Sequence, residues 1–281
     1  VRKQAVAHRS AAMTDTTAAP RAIAYNTSFT VLFAVAFCHL LNDMMQAVIP
    51  AIYPVLKTEL KLSFAQVGLI TLAFQCTASL LQPAVGFVSD IKPRPYWLAT
   101  GMVATLFGLL MLSWAGNYPL VLVAAMLVGL GSSVFHPEAS RVARMASGGR
   151  HGLAQGLFQV GGNTGSALGP LSAAFIVAAF GQRGVALYAV CAILGIAILA
   201  RIGTWYKHHG LARIRAAAAH AANGLPRGKV ATSILILLLL IFSKYFYLVS
   251  LGSYFTFYLI ETFHVSVMAA QVYLFLFLGA V

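Results

Sequence analysis

Acidic residues are scarce in this chain. There are six Asp and Glu among 281 residues, and charged residues of both signs reach only 9%. A water-soluble domain carries roughly 25%, so the polar surface a soluble globule would need is missing. Cysteine is sparse as well: Cys38, Cys76 and Cys191 sit singly in apolar runs with no CxxC spacing. They read as small buried hydrophobes, not as a disulfide framework or a metal centre. No HExxH or similar catalytic spacing occurs, which leaves a metalloenzyme without its motif. A channel would need a filter sequence, and none is evident. The apolar runs do not alternate over about ten residues, as barrel strands do. No short apolar core with a cleavage site follows the N-terminus, so the pattern of a signal peptide is absent.

What the chain has instead is apolar length. Hydrophobic residues make up 60% of it. Apolar windows fall at about 29–54, 64–87, 96–115, 119–140, 153–180, 184–206, 231–260 and 265–281. A membrane helix needs about 20 such residues. The expected fold class is therefore an all-α membrane protein with seven full spans and an eighth that stops with the chain.

The net charge of +13 follows from topology. Fifteen Lys and Arg residues fall on one side of these spans: in the tail, at 92–94, at 141–150 and from Arg201 to Lys229. Lys57, Lys61 and Arg183 are the three on the other side. By the positive-inside rule the N-terminus is cytoplasmic, and a nucleic-acid partner is not needed to explain the charge. The expected partners are the lipid bilayer, protons and a small anionic molecule, with no cofactor.

Four segments are expected. Residues 1–24 form a disordered cytoplasmic tail, within which Met13 is a candidate natural start. Residues 25–206 form an N-terminal six-helix bundle. Residues 207–229 form a cytoplasmic linker whose centre, RIRAAAAHA, suits an interfacial helix. Residues 230–281 supply the first two helices of an incomplete second bundle. The layout matches two-halved secondary transporters. The abrupt end reads as a truncation, and the 281-residue form is expected to be inactive.

Ionisable groups in hydrocarbon cost about 2.5–3.5 kcal/mol on insertion scales and persist mainly beside a cavity or a partner. In the first span His39 and Asp43 are four apart and share a face, flanked by Asn42 and Gln46. Counting about 1.5 Å per residue from Phe29 puts Asp43 about 21 Å in, near the midplane. A carboxyl there suits proton binding and release, or a structural hydrogen bond to neighbouring helices. The fourth span ends in GLGSSVFHPEASR, where Pro137 is expected to loosen the helix between His136 and Glu138. Those two form either a second protonation or substrate site, or a helix-end cluster with Arg141 or Arg144. In the seventh span Lys244 lies at a depth similar to Asp43, so a pseudo-twofold axis would place both at one cavity. There Lys244 is expected to neutralise Asp43 or to hold an anionic substrate.

Polar stripes recur at helical spacing: Gln75, Ser79 and Gln82 in the second span, and Gln155, Gln159, Asn163 and Ser166 in the fifth. Each either lines the cavity or joins helices. The fifth span also carries Gly161, Gly165 and Gly169 followed by Pro170, a ridge that admits a close neighbouring backbone.

Residues 86–98, GFVSDIKPRPYWL, resemble the loop signature of the major facilitator superfamily through Gly86, Asp90 and Arg94. Ile91 stands where a basic residue is usual, and Pro93 where a second glycine is. The run GGNTGSALGPLSAA resembles that superfamily's antiporter motif through Gly161, Gly165, Gly169 and Pro170, with Ala173 and Ala174 in place of the closing glycines. HLLNDMMQAVIPAIYPVL, ASLLQPAVGF and GSSVFHPEASRVARMASGGRHGLAQGLFQVGGN are together similar to the fosmidomycin resistance family of bacterial efflux transporters, over about residues 29–281. The resemblance implies twelve helices in two halves, an inner-membrane location and proton-driven export of a phosphonate drug.

On that reading Asp43, His39 and Glu138 are the expected proton-coupling residues. Lys244, His136, Asn42, Gln46, Gln75, Gln159 and Asn163 are the expected substrate contacts. Gly86, Asp90, Arg94 and Arg141 are expected at the cytoplasmic gate, with Asp90 pairing to Arg141 when the outside is open. An uptake symporter for a small anion would use much the same residues. A membrane-embedded metal enzyme built on His39, Asp43, His136 and Glu138 is the alternative from a different class.

Overall fold

The computed structural model describes residues 26–210 and 226–280. The expected tail and the interfacial helix of the linker lie outside the described residues. Among the described residues there are helices and no strands. In chain order they are α1 (Phe29–Ala51), α2 (Tyr53–Glu59), α3 (Phe64–Gln75), α4 (Gln82–Ile91), α5 (Trp97–Trp114), α6 (Tyr118–Ala146), α7 (His151–Phe180), α8 (Tyr188–Trp205), α9 (Arg227–Phe263) and α10 (Val267–Ala280).

Local chemistry sets where these helices start and stop. Ser63 caps α3 in a capping box: its Oγ accepts from the Gln66 N–H at 3.2 Å, and the Gln66 side chain accepts from the Ser63 N–H at 2.8 Å. Asn117 caps α6 by accepting from the Leu120 N–H at 3.0 Å. Gly148 and Gly149, with φ of 58° and 91°, reverse the chain between α6 and α7, a backbone region that other residues adopt only with strain. A π-helical turn, Cys76–Leu80, joins α3 to α4, so the second apolar window is one span, Phe64–Ile91, with a wider turn in its middle. Pro137 does not interrupt α6, which runs through it for 29 residues. The expected loosening there is therefore not a break, because the neighbouring helices pack around this turn.

Among the described residues six helical stretches are long and apolar enough to cross a membrane. One of them, 60 residues from His151 to Gly210, contains the 3-10 turn Gly181–Leu187 and so holds both α7 and α8. A 2.7 Å hydrogen bond between Ser172 and Tyr188 ties α7 to the first residue of α8. Large apolar side chains such as Phe33, Phe107, Trp114 and Phe175 point outward. Lipid tails tolerate that surface and water does not.

The closest packing is between α1 and α7. A Cβ added at Gly161 or Gly165 would collide with the carbonyl oxygens of Ala36 or Leu40 of α1, and one at Gly169 would stand 2.9 Å from that of Met44. The glycine ridge thus lets α7 lie directly on the α1 backbone. In α9 the segment 228–247 is exposed, whereas Ser253, Thr256 and Phe257 are buried. Ser253 meets Thr71 of α3 at 3.3 Å. The buried Gln271 of α10 donates to the Ala51 carbonyl at 2.6 Å.

Candidate functional site

Three ionisable residues meet among the apolar side chains, and they come from two helices. His39 and Asp43 stand one turn apart on α1, and α6 brings His136 across to them. His39 Nε2 lies 3.3 Å from Asp43 Oδ2, and His136 Nε2 lies 3.4 Å from Asp43 Oδ1. The side chains are 3%, 17% and 29% exposed for His39, Asp43 and His136. Their donor atoms all lie within 4.8 Å of one another, which makes this a group able to hold a metal ion.

Hydrogen bonds fix the direction of each ring. His39 Nδ1 lies 2.7 Å from the Phe158 carbonyl of α7. His136 Nδ1 lies 3.1 Å from the Ser132 carbonyl, with Ser132 Oγ at 3.2 Å. A carbonyl only accepts, so each Nδ1 carries the proton. In a neutral ring the lone pair then sits on Nε2, facing Asp43. Phe158 also stacks on His39 with ring centroids 3.9 Å apart. Gly162 of α7 makes room for the cluster: an added Cβ would stand 2.6 Å from His39 Nε2 and 2.9 Å from Asp43 Oδ2.

Asn42 and Gln46, expected among the substrate contacts, both donate to the carboxylate of Asp43. Asn42 Nδ2 donates to Asp43 Oδ1 at 3.0 Å and Gln46 Nε2 to the same oxygen at 3.2 Å. Asn42 is fully buried. Lys244, expected opposite Asp43, is not paired with it. It stands in the exposed part of α9, 5.5 Å from the Tyr245 ring centroid, because α9 meets the other helices mainly through its later turns.

A second polar cluster sits further along α6. Arg141 donates through Nη1 to the Ser89 carbonyl at 2.9 Å and to Ser89 Oγ at 3.2 Å, and through Nη2 to Asp90. The buried Glu138 has Oε1 at 4.0 Å from Arg141 Nε. Glu138, expected with the proton-coupling residues, thus belongs to the arginine and not to Asp43. Arg94 joins neither cluster. Its guanidinium lies 5.2 Å over the Trp97 ring. Around Gly86 an added Cβ would meet nothing within 4 Å.

The polar stripes divide. Gln155 joins helices, exchanging two 3.2 Å hydrogen bonds with Ser140 of α6. Gln159 and Asn163 are exposed along α7. Gln75 accepts from Ser79 at 3.4 Å. Sequence reasoning missed Phe158, Gly162 and Ser132. Gly162 adjoins the glycine ridge and was the one with a local signal.

Long apolar helices around a largely buried acid–histidine cluster are the architecture of a multi-pass membrane protein. The chain belongs to the Major Facilitator Superfamily, whose profile matches residues 35–281. That family is one of membrane transporters, not of enzymes. The chain is 55% identical over 255 residues to the fosmidomycin resistance protein of Escherichia coli (strain K12), covering 91% of this chain and 63% of that protein. It is 40% identical over 255 residues to the uncharacterized MFS-type transporter YfnC of Bacillus subtilis (strain 168), covering 90% and 62%. The chain therefore spans somewhat under two thirds of the length of these relatives. Among solved structures, an inward-facing bacterial homologue of the human lysosomal transporter Spinster aligns with a TM-score of 0.64 at 17% identity, covering 87% of this chain and 58% of that one. At that identity the likeness concerns the fold.

Proposed function

We propose that the protein is a proton-driven exporter of small phosphonate-type anions, fosmidomycin among them, in the bacterial inner membrane with its N-terminus in the cytoplasm. The observation that carries the proton part is the cluster of Asp43, His39 and His136. With both rings neutral its net charge is −1. One proton between Asp43 and either Nε2 brings it to zero, and a second brings it to +1. A group whose charge changes over that range inside a low-dielectric bundle alters the field felt by a charged substrate and by the facing helices. The likeness to the fosmidomycin resistance protein supports the substrate class, and the asymmetry of Lys and Arg across the spans supports the orientation.

On this reading residues 25–206 act as one bundle and 207–229 as the cytoplasmic linker, with 230–281 opening the second bundle. The two bundles rock about the cavity. Lys244, with no carboxylate within ion-pair distance among the described residues, supplies a cation for the phosphonate. Gln75, Gln159 and Asn163 are offered as its neutral contacts. The Asp90–Arg141 pair acts as the cytoplasmic latch, together with Gly86 and Arg94.

One observation favours a second reading. A cluster that grows more positive on protonation attracts an anion in the same step, and that is the electrostatics of symport. Fosmidomycin susceptibility separates the two. Sensitive bacteria carrying the complete reading frame become resistant if the protein exports the drug and more sensitive if it imports it. No change in either direction removes fosmidomycin as a substrate.

A further inference from the structure

We propose that His39, Asp43 and His136 also form a binding site for a first-row divalent metal ion with the preferences of zinc. The site uses the same three residues as the transport reading but does not depend on the direction or substrate of transport.

Three features of the geometry point to it. The first is the convergence of lone pairs. Each imidazole commits its Nδ1–H to a backbone carbonyl, of Phe158 or of Ser132, and turns Nε2 toward a carboxylate. In the neutral state acceptors face acceptors. His39 Nε2 is buried without a hydrogen-bond partner. A cation placed among them removes that conflict, and a metal ion does so while both rings stay neutral. The second is spacing. Ligands about 2.0–2.1 Å from a tetrahedral zinc lie about 3.3–3.4 Å from one another. Asp43 offers one oxygen to each ring, Oδ2 at 3.3 Å from His39 Nε2 and Oδ1 at 3.4 Å from His136 Nε2, and the ligand atoms of the three residues lie within 4.8 Å of one another, close enough to contract onto one ion. The third is the outer shell. Metal-bound histidines generally donate their second N–H to a carbonyl or carboxylate, and ligating carboxylates are themselves hydrogen-bonded. Both rings meet that condition. Asn42 and Gln46 donate to Asp43 Oδ1, leaving Oδ2 toward His39.

Two nitrogens and one carboxylate oxygen suit zinc, cobalt or nickel better than magnesium or calcium, which favour all-oxygen sites. Three protein ligands leave a fourth position for water. Asp43 and His136 are the part-exposed members of the site, at 17% and 29%.

The test uses the complete protein without a polyhistidine tag, purified in detergent. Zn2+ binding is measured by calorimetry at about pH 7.5, and Co2+ serves as the spectroscopic probe of a tetrahedral site. One equivalent per chain and the intense visible bands of tetrahedral cobalt are expected, fading as the pH falls toward about 5.5. His39→Ala, Asp43→Asn and His136→Ala should each weaken binding by about 100-fold or more, beyond the 10- to 100-fold that loss of an outer partner costs. A His208→Ala/His209→Ala double variant should bind as before. Absence of stoichiometric binding overturns the site, as does binding that survives all three substitutions. The pH titration of unaltered protein serves if a variant unfolds. Zinc binding without fosmidomycin protection would leave this site standing and remove fosmidomycin as an exported substrate. Protection that requires Asp43, with no metal bound, would do the reverse.

Discussion

Helix α6 carries two polar clusters less than two turns apart, and they are built on opposite principles. At His136 an aspartate is balanced only by groups that can lose their charge. At Arg141 two carboxylates, Asp90 and Glu138, share a guanidinium that keeps its charge at any accessible pH. The first cluster can therefore change its net charge without moving. The second keeps its cation at all times, and its contacts change when Arg141 and Asp90 part. One helix thus joins a group suited to storing protons to a group suited to reporting position.

Substitutions can break that comparison, and the largest effect is expected at the first cluster. Asp43→Asn keeps the size of the side chain but removes its negative charge. It should return fosmidomycin susceptibility to that of cells without the gene, with equal membrane expression checked by blotting. Next comes Arg141→Ala, which leaves Glu138 buried without its cation. Breaking a buried pair costs about 3–5 kcal/mol, so thermal unfolding in detergent should show a loss near the lower end. A Glu138→Gln/Arg141→Ala double variant should recover part of it. Gly162→Ala should be milder. Its methyl would press on His39 and Asp43 and is expected to lower transport by about tenfold, against the 10²-fold that larger misplacements reach, with little change in melting temperature.

The smallest effect is expected at Asp90, whose side chain is 75% exposed. An exposed pair contributes at most about 1 kcal/mol, so Asp90→Asn should leave the unfolding temperature within about 1–2 °C. An Asp90→Arg/Arg141→Asp exchange should not restore transport, because the new aspartate would face Glu138. Adding Glu138→Gln to the exchange sharpens the test: recovery only in the triple variant would show that Arg141 serves both acids.

Helix existence and length were decided by the sequence alone. A run of about 20 apolar residues in lipid must satisfy its own backbone, and the helix is the local way to do so. The pairing of His39 with Asp43 was equally legible, because residues four apart on one helix share a face. So was the glycine ridge, although not the α1 carbonyls it would rest on. Only tertiary structure brought His136 to Asp43, set Phe158 against His39 and made Gly162 the residue that leaves space for them. Depth along a helix can be counted from sequence, and it placed Asp43 and Lys244 at similar levels. It says nothing of rotation or of distance across the bundle, and so Lys244 stands apart from Asp43. Segment insertion is a sum over one helix, whereas contact between helices depends on which faces meet. Here close packing at Gly161, Gly165 and Gly169 decided that, by letting α7 settle onto α1.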